Sequence, residues 1–444
     1  MPLGLYISVP FCRTKCSYCN FASDVFSKSA YENYVARLLE DIANSGQLML
    51  ELGSALGGSA PDHAADSLYL GGGTPSILDA PQLLRIFAAV RDQFAITSDA
   101  EITVECAPGT LTETLIDALL QCGVNRVSLG VQSFVDREAQ AVGRLHKRAT
   151  VLEEIARLRE AGIGNINVDL IAGLPHQTAE SWAHSVSEAI ATGVPHVSVY
   201  MLEVDDESRL GRELIAGGVR YHAHSVPDDD ATADFYQQAC EMLFAALIEQ
   251  YEISNFARAE GLQSHQSRHN LKYWTRQPYL GFGVDAHSML VDRHVDDRHM
   301  NDRHMDDQNR AVRFATPDSL DAFMNRASHT MTPVSVQAAV EESFFLGLRL
   351  NRGIDLEQIR EEFSWDRRTL DCADRCGRAA LQDRVASMAS WESAIEQCVY
   401  DGLLEQYGNN VRLTARGRLL SNEVFARLLT EEKKKVGTGH VNPR

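Results

Sequence analysis

From residue 3 to about 285, short apolar runs alternate with segments whose apolar residues recur at helical spacing. The runs "LGLYISV" (3–9), "SLYL" (67–70), "EITVEC" (101–106), "NRVSLGV" (125–131), "NINVDLI" (165–171) and "HVSVYML" (196–202) read as buried strands. Residues 30–50 carry helical spacing through Tyr34, Leu38 and Ile42, and further helices are expected at 79–93, 111–122, 149–161, 178–192 and 230–250. Short apolar strands alternating with helices imply βαβ units, hence an α/β fold with a parallel sheet covered by helices. Ligands in such folds gather at the carboxyl ends of the strands.

Three stretches interrupt the alternation. Residues 53–65, "GSALGGSAPDHAA", are small and read as a flexible loop. Residues 292–308, "DRHVDDRHMNDRHMDDQ", repeat a five-residue unit that fits neither helix nor strand and cannot bury a core. A solvated loop at a domain boundary is expected there; the alternative is metal capture by His294, His299 and His304, opposed by the entropy of ordering such a loop. From about 317 the chain becomes helical (335–350, 391–402, 414–429), with a strand pair "LLEQY" and "VRLT" joined by "GNN", whose Gly and Asn suit a tight turn. The expected organisation is a core at 1–290, a low-complexity loop at 291–316, a C-terminal α+β, winged-helix-like domain at 317–430, and a disordered tail at 431–444.

Composition narrows the function classes. Asp and Glu number 61 against 42 Lys and Arg, a formal charge of −19 over 444 residues, which works against adhesion to a phosphate backbone. Nucleic acid is therefore not an expected partner. The N-terminus "MPLGLYISVPF" lacks the basic and long apolar regions of a secretory signal, and no run approaches a membrane span, so a cytoplasmic address is expected. Among nine cysteines three crowd into "SVPFCRTKCSYCNF" as Cys12, Cys16 and Cys19. In a reducing compartment that crowding reads as metal or redox chemistry rather than disulfides.

Three thiolates spaced CxxxCxxC on one loop can ligate three corners of a small iron–sulfur cluster. Zinc is the main rival, but a structural zinc site takes four ligands, and no second Cys/Cys or Cys/His pair stands nearby. Cys372 and Cys376, four apart, could face one another on a helix; metal binding there is not the favoured reading. A cubane held by three cysteines leaves one iron open. Further polar motifs follow the strands. "GGGTPS" (71–76) lets backbone approach a ligand closely, without the GK[ST] ending of a phosphate loop. Glu105 ends the third strand, Gln132 follows the fourth, "GRLH" supplies Arg144, and Asp169 stands on the fifth strand. Each alone is an ordinary sheet-end residue, but together they share an edge.

These residues resemble the radical S-adenosylmethionine (SAM) superfamily, whose CxxxCxxC signature, with an aromatic before its last cysteine, appears as Cys12, Cys16, Tyr18 and Cys19. The resemblance implies a partial (β/α)6 TIM-like barrel, a [4Fe-4S] cluster on Cys12, Cys16 and Cys19, and SAM on the open iron. In that family the reduced cluster cleaves the sulfonium to methionine and a 5′-deoxyadenosyl radical. Within the superfamily the chain is similar to the oxygen-independent coproporphyrinogen III oxidase group and its heme-chaperone branch, HemW. That resemblance implies SAM contacts at Tyr6, Gly72, Gly73, Thr74 and Glu105, with Tyr18, Gln132, Arg144 and Asp169 matching residues around a second SAM. "SRHNLKYW" holds the HNxxYW element as His269, Asn270, Tyr273 and Trp274, and His269 is the implied heme contact. The oxidase signature continues CxxxCxxCxC, whereas Phe21 stands here, and the oxidase carries an N-terminal extension where this chain begins five residues before Tyr6. Both differences favour the heme-chaperone branch over oxidative decarboxylation of coproporphyrinogen III, and SAM-dependent RNA modification is disfavoured by charge. The implied partners are heme and heme-accepting proteins, met at the membrane surface, with room for a homodimer.

Overall fold

The computed structural model describes residues 1–55, 63–260, 263–291, 311–327, 330–363 and 390–429. The 292–308 repeat, Cys372, Cys376 and the 431–444 tail lie outside the described residues. Six strands occur where the apolar runs stand: β1 (Leu3–Val9), β2 (Ala64–Gly72), β3 (Ala95–Cys106), β4 (Arg126–Gln132), β5 (Asn165–Ala172) and β6 (His196–Met201). They pair in parallel in that order. Two further edges extend the sheet. The strand Tyr279–Gly283 adds in parallel beside β1 and leads into an antiparallel meander through His287–Val291, Ala311–Ala315 and Thr330–Val334; Asn255–Ala257 and Glu249–Gln250 close the side of β6. "YLGFG" was not read as a strand; Gly281 is needed there because a Cβ would lie 2.3 Å from the His287 carbonyl oxygen.

Helices between the strands cover the outer face. Lys28–Ala43 buries Tyr31, Tyr34, Val35, Leu38 and Ile42, the i, i+3, i+4 stripe of a one-sided helix. The single helix expected over 30–50 is instead two: the first ends at Asn44 and a second runs Ser45–Ala55, since Asn-Ser-Gly is a poor helix interior. That second helix and β2 take up both ends of the expected 53–65 loop, whose residues 56–62 lie outside the described residues. Ala80–Gln93 starts in a reciprocal box, with Asp79 accepting from the Gln82 N–H at 2.9 Å and Gln82 Oε1 accepting from the Asp79 N–H at 3.1 Å. The helix expected over 230–250 runs Asp229–Ala245 and then breaks, with Leu247 at φ 59.

Register gives the sheet its curvature. Tyr6 pairs with Tyr69 and Tyr69 with Thr103; Glu105 pairs with Ser128, Gly130 with Asp169, and Ile171 with Tyr200. Inward-facing positions thus climb by two residues at several steps around the sheet, the stagger that bends parallel strands into a barrel wall. One hydrophobic core fills the space between this wall and its helices. A second core gathers Phe344, Ile354, Ile359, Trp391, Cys398 and Val411 around a three-stranded antiparallel sheet, in which Leu404–Tyr407 and Asn410–Leu413 form the hairpin read from "GNN". No helix of the described residues is long and apolar enough to cross a membrane.

Candidate functional site

The cysteine loop is anchored before it carries any chemistry. Phe11, fully buried, stacks on Tyr31 with centroids 4.1 Å apart. Asp24 then closes the loop: its N–H donates to the Pro10 carbonyl and its own carbonyl accepts from the Cys12 N–H, both at 3.0 Å. Lys15 Nζ donates to the carbonyls of Phe21 (3.2 Å) and Ser23 (2.8 Å) inside the loop. Neighbouring segments hold its outer side, with Thr14 Oγ1 on the Gly143 carbonyl at 2.9 Å, Ser17 N–H on the Val142 carbonyl at 3.2 Å, and Leu210 N–H on the Ser17 carbonyl at 2.8 Å.

Cys12, Cys16 and Cys19 are all free thiols on this loop. Burial pushes the Cys12 and Cys19 thiols up, and the neighbouring cysteines add to it, so the three lie within electrostatic reach of one another. Among the described residues no three His, Cys, Asp or Glu side chains converge around a single ion. Mononuclear zinc needs every sulfur at about 2.3 Å from one centre. Three thiols spaced along one short loop fit three corners of a multi-iron cluster.

The glycine run explains itself against this loop. Gly73 N–H donates to the Val9 carbonyl and Thr74 N–H to the Phe11 carbonyl, each at 2.8 Å, so "GGT" docks as an extra rung on the cysteine loop. A Cβ on Gly73 would stand 2.7 Å from the Phe11 oxygen and 3.0 Å from Cys12 Sγ. Gly72 sits at φ 102, where a side chain is strained. Thr74 Oγ1 points to Cys12 Sγ at 3.8 Å. This is a cradle that only glycine leaves open beside a sulfur ligand.

Inside the barrel, Tyr6, Tyr69, Glu105, Gly130, Asp169 and Tyr200 come from successive strands β1 to β6 and are each only partly covered by neighbours that are themselves buried. They face the lumen, and Tyr200 keeps 40 % of its surface free. Tyr69 donates to Glu105 Oε1 at 2.7 Å. Burial pushes the Glu105 carboxyl up to about 7; Tyr69 opposes the shift and Asp169 adds to it. Asp169 is raised by burial and restrained by hydrogen bonds, among them Ser128 Oγ to Oδ2 (3.0 Å) and Asn167 Nδ2 to Oδ1 (2.8 Å). For Arg144, burial opposes the charge, but the Cys16, Tyr18, Cys12 and Asp169 groups around it prevail and raise its pKa. Gly130 makes room for it, since a Cβ there would meet Arg144 Nη2 at 2.6 Å. Tyr18, likewise raised by burial and by Cys16, packs with Val142, Ile171 and Leu174.

Gln132 terminates β4 at a register shift, with φ 68 and its Oε1 buried without a partner. Arg144 Nε is also buried and unbonded. Orphaned polar atoms of this kind, beside two carboxylates at the open end of a barrel, suit a ligand bearing both charge and hydrogen-bonding groups. The cysteine loop, Gly72, Gly73, Thr74, Tyr6, Tyr18, Glu105, Gln132, Arg144 and Asp169 therefore occupy one end of the fold. Their residue types fit a cluster and an amino-acid-bearing nucleoside.

His269 lies elsewhere. The helix Arg268–Trp274 closes the opposite, N-terminal end of the strands, its first N–H groups donating to Glu101 at 3.1 Å for both Arg268 and His269. His269 is 1 % exposed; its Nδ1 pairs with Ser67 Oγ at 3.0 Å and its Nε2 with Tyr273 Oη at 2.8 Å. Burial, aided by Lys272 and Arg126, pushes its pKa down to about 3, so the ring is neutral and both nitrogens are used. In this arrangement both ring nitrogens of His269 are hydrogen-bonded to neighbouring side chains, and the ring braces the barrel floor. Residue-by-residue reading also missed Tyr69, Tyr200, and the floor network in which Asn167 bonds His196 (2.6 Å), Ser128 (2.8 Å) and Ser198 (3.0 Å). The signal was present as polar residues at every second strand position, Ser67/Tyr69, Thr103/Glu105, Asn167/Asp169 and Ser198/Tyr200.

Comparison with known proteins agrees with this geometry. Residues 6–189 match the radical SAM superfamily and residues 334–420 the HemN C-terminal domain. The heme chaperone HemW of Bacillus subtilis is 30% identical over 428 residues, covering 96% of this chain and 99% of the relative. HemW of Mycobacterium tuberculosis (strain H37Rv) is 30% identical over 434 residues, covering 96% and 95%. The solved coproporphyrinogen III oxidase (HemN) of Escherichia coli superposes with a TM-score of 0.74 at 21% identity, covering 96% of this chain and 90% of the other, which shows a shared fold.

Proposed function

Because the chain belongs to the HemW family of radical SAM proteins, we propose that it is a heme chaperone, taking up heme and passing it to acceptor proteins. The observation that carries the reading is likeness to HemW along nearly the whole of both chains, with the three-cysteine loop intact and Phe21 where the oxidase signature has a further cysteine.

In this reading Cys12, Cys16 and Cys19 would hold a [4Fe-4S] cluster, which together with SAM would supply one-electron chemistry at the sulfonium. The chain's own residues position and protect. Gly72, Gly73 and Thr74 offer backbone to the methionine end, while Tyr6 and Glu105 line the place for the nucleoside, Glu105 accepting from ribose hydroxyls once ionised. Arg144 presents a planar fork to a carboxylate, and Gln132 can donate and accept at once. Asp169, held by Ser128 and Asn167, faces them across the lumen. Phe11, Tyr31 and the Leu174 group exclude water from the loop. The heme-chaperone reading places the protein in the cytoplasm, handing heme to acceptor proteins at the membrane surface.

The test is anaerobic: reconstitute the cluster, load heme, and follow its transfer to a heme-free acceptor. Stoichiometric transfer supports the reading. Catalytic conversion of coproporphyrinogen III with SAM and reductant would replace it with the oxidase.

A further inference from the structure

Arg126 opens β4 on the inward parity it shares with Ser128, which bonds Asp169 in the lumen, and with Gly130, which faces Arg144. In register it stands between Thr103 of β3 and Asn165 of β5, with Tyr69 of β2 one strand beyond Thr103. It is 2 % exposed. Among the described residues its guanidinium makes no hydrogen bond and no ion pair, and its Nε is fully enclosed. Thr103 beside it is also wholly buried, and its Oγ1 likewise lacks a partner. Two registered neighbours on adjacent strands thus carry unsatisfied polar atoms into the same layer of the barrel.

A guanidinium does not shed its proton to escape burial, so an enclosed arginine needs a counter-charge. The carboxylates of the lumen are committed elsewhere. Glu101 takes the Arg268 and His269 N–H groups at 3.1 Å each, Glu105 takes the Tyr69 hydroxyl at 2.7 Å, and Asp169 is held by Ser128 and Asn167. Lys272, another buried cation of the floor, does find a partner in Asp66 at 2.7 Å. Arg126 is felt on both sides of its layer: against burial it favours the ionised forms of Glu105 and Asp169, and with burial it disfavours the protonated rings of His196 and His269. A planar fork beside a hydroxyl on the next strand suits a carboxylate, whose oxygens can accept from the guanidinium in parallel while one takes the Thr103 O–H. A phosphate dianion would set its second charge against Glu105 and Asp169; a carboxylate brings only one.

We propose that Arg126 and Thr103 form a carboxylate-binding subsite in the lower lumen, which receives a carboxylate arm of the tetrapyrrole cargo. The identity of the cargo rests on the heme-chaperone reading; the subsite rests on the two side chains. It adjoins the floor helix: Tyr69, in register with Thr103, stacks on the His269 ring with centroids 5.2 Å apart. A cargo that meets the floor helix therefore comes within the field of Arg126. A free small carboxylate has the same chemistry, and the test separates the two sources.

The test titrates hemin and hemin dimethyl ester, whose carboxylates are masked, into full-length, cluster-loaded protein, and follows melting with and without acetate. Wild type is compared with Arg126→Gln, Arg126→Lys and Thr103→Val. Wild type is expected to bind hemin about tenfold more tightly than the diester, and Arg126→Gln to lose that preference by weakening hemin alone. Arg126→Lys, with the charge but not the fork, keeps part of it, and carries the comparison if Arg126→Gln does not fold. Thr103→Val keeps the shape of the wall and loses part of the preference. Arg126→Gln is also expected to keep the cluster spectrum and to melt no lower than wild type, since an enclosed charge without a partner does not support the fold. A variant at Arg126 that retains the full wild-type preference overturns the subsite and leaves the chaperone reading standing. Wild type that binds neither hemin nor diester overturns the chaperone reading, and acetate then decides the subsite: a rise in melting for wild type but not for Arg126→Gln assigns it to a free carboxylate. Equal binding of hemin and diester by wild type, with no acetate effect, overturns the subsite.

Discussion

The Tyr69 hydroxyl donates to Glu105 Oε1 at 2.7 Å, joining β2 to β3 across the lumen face where both side chains stay partly open. Glu105 titrates at about 7 in the fold against 4.5 without it, because burial disfavours its charge. Below pH 4.5 both states hold the proton and nothing is lost. As pH rises from 4.5 to 7 the unfolded chain ionises first and stability falls, by up to about 3 kcal/mol before discounting for partial exposure. Cluster-free Glu105→Gln is expected to melt higher than wild type at pH 8 and equally at pH 5. Cluster-loaded Glu105→Gln is also expected to bind SAM about tenfold more weakly than cluster-loaded wild type at pH 8, by calorimetry. Equal melting at both values would remove the carboxyl from this role.

Gly73→Ala tests the cradle. The added methyl enters space 3.0 Å from Cys12 Sγ and 2.7 Å from the Phe11 carbonyl oxygen, so either the cysteine or the rung from Thr74 to Phe11 must move. Iron and sulfide content after reconstitution should drop by roughly tenfold, with circular dichroism unchanged. Full iron loading would show that the loop gives way without cost.

Gln132 pits stability against binding. At φ 68, glycine relieves backbone strain, and Gln132→Gly is expected to raise the stability of the ligand-free chain by about 1 kcal/mol in urea. Its orphaned Oε1 loses its ligand contact, so SAM affinity should fall severalfold. A variant less stable than wild type would mean that the side chain has structural partners.

His269→Ala should cost about 2–3 kcal/mol of stability, since it opens a cavity in the floor and strands Ser67 and Tyr273. Chemical denaturation followed by circular dichroism measures it. A loss under 0.5 kcal/mol would contradict a supporting role.

The parallel strands and most of their helices were legible because buried parallel strands read as apolar runs, and the cysteine spacing named its chemistry directly. Other features depended on context the linear pattern does not carry. "YLGFG" looks like a loop, yet its glycines let Tyr279–Gly283 pair against β1 and approach His287. The helix Arg268–Trp274 is too short for a periodic signal. Its histidine sits in a motif that says nothing about which end of the barrel it faces. Register decides that, through Glu101 and Ser67.

Glu101 and the Arg268–Trp274 helix brace the N-terminal ends of the strands, while the cysteine loop stands at their carboxyl ends. Injury to the floor and injury to the loop are therefore separable: the first shows in the melting curve, the second in the iron content.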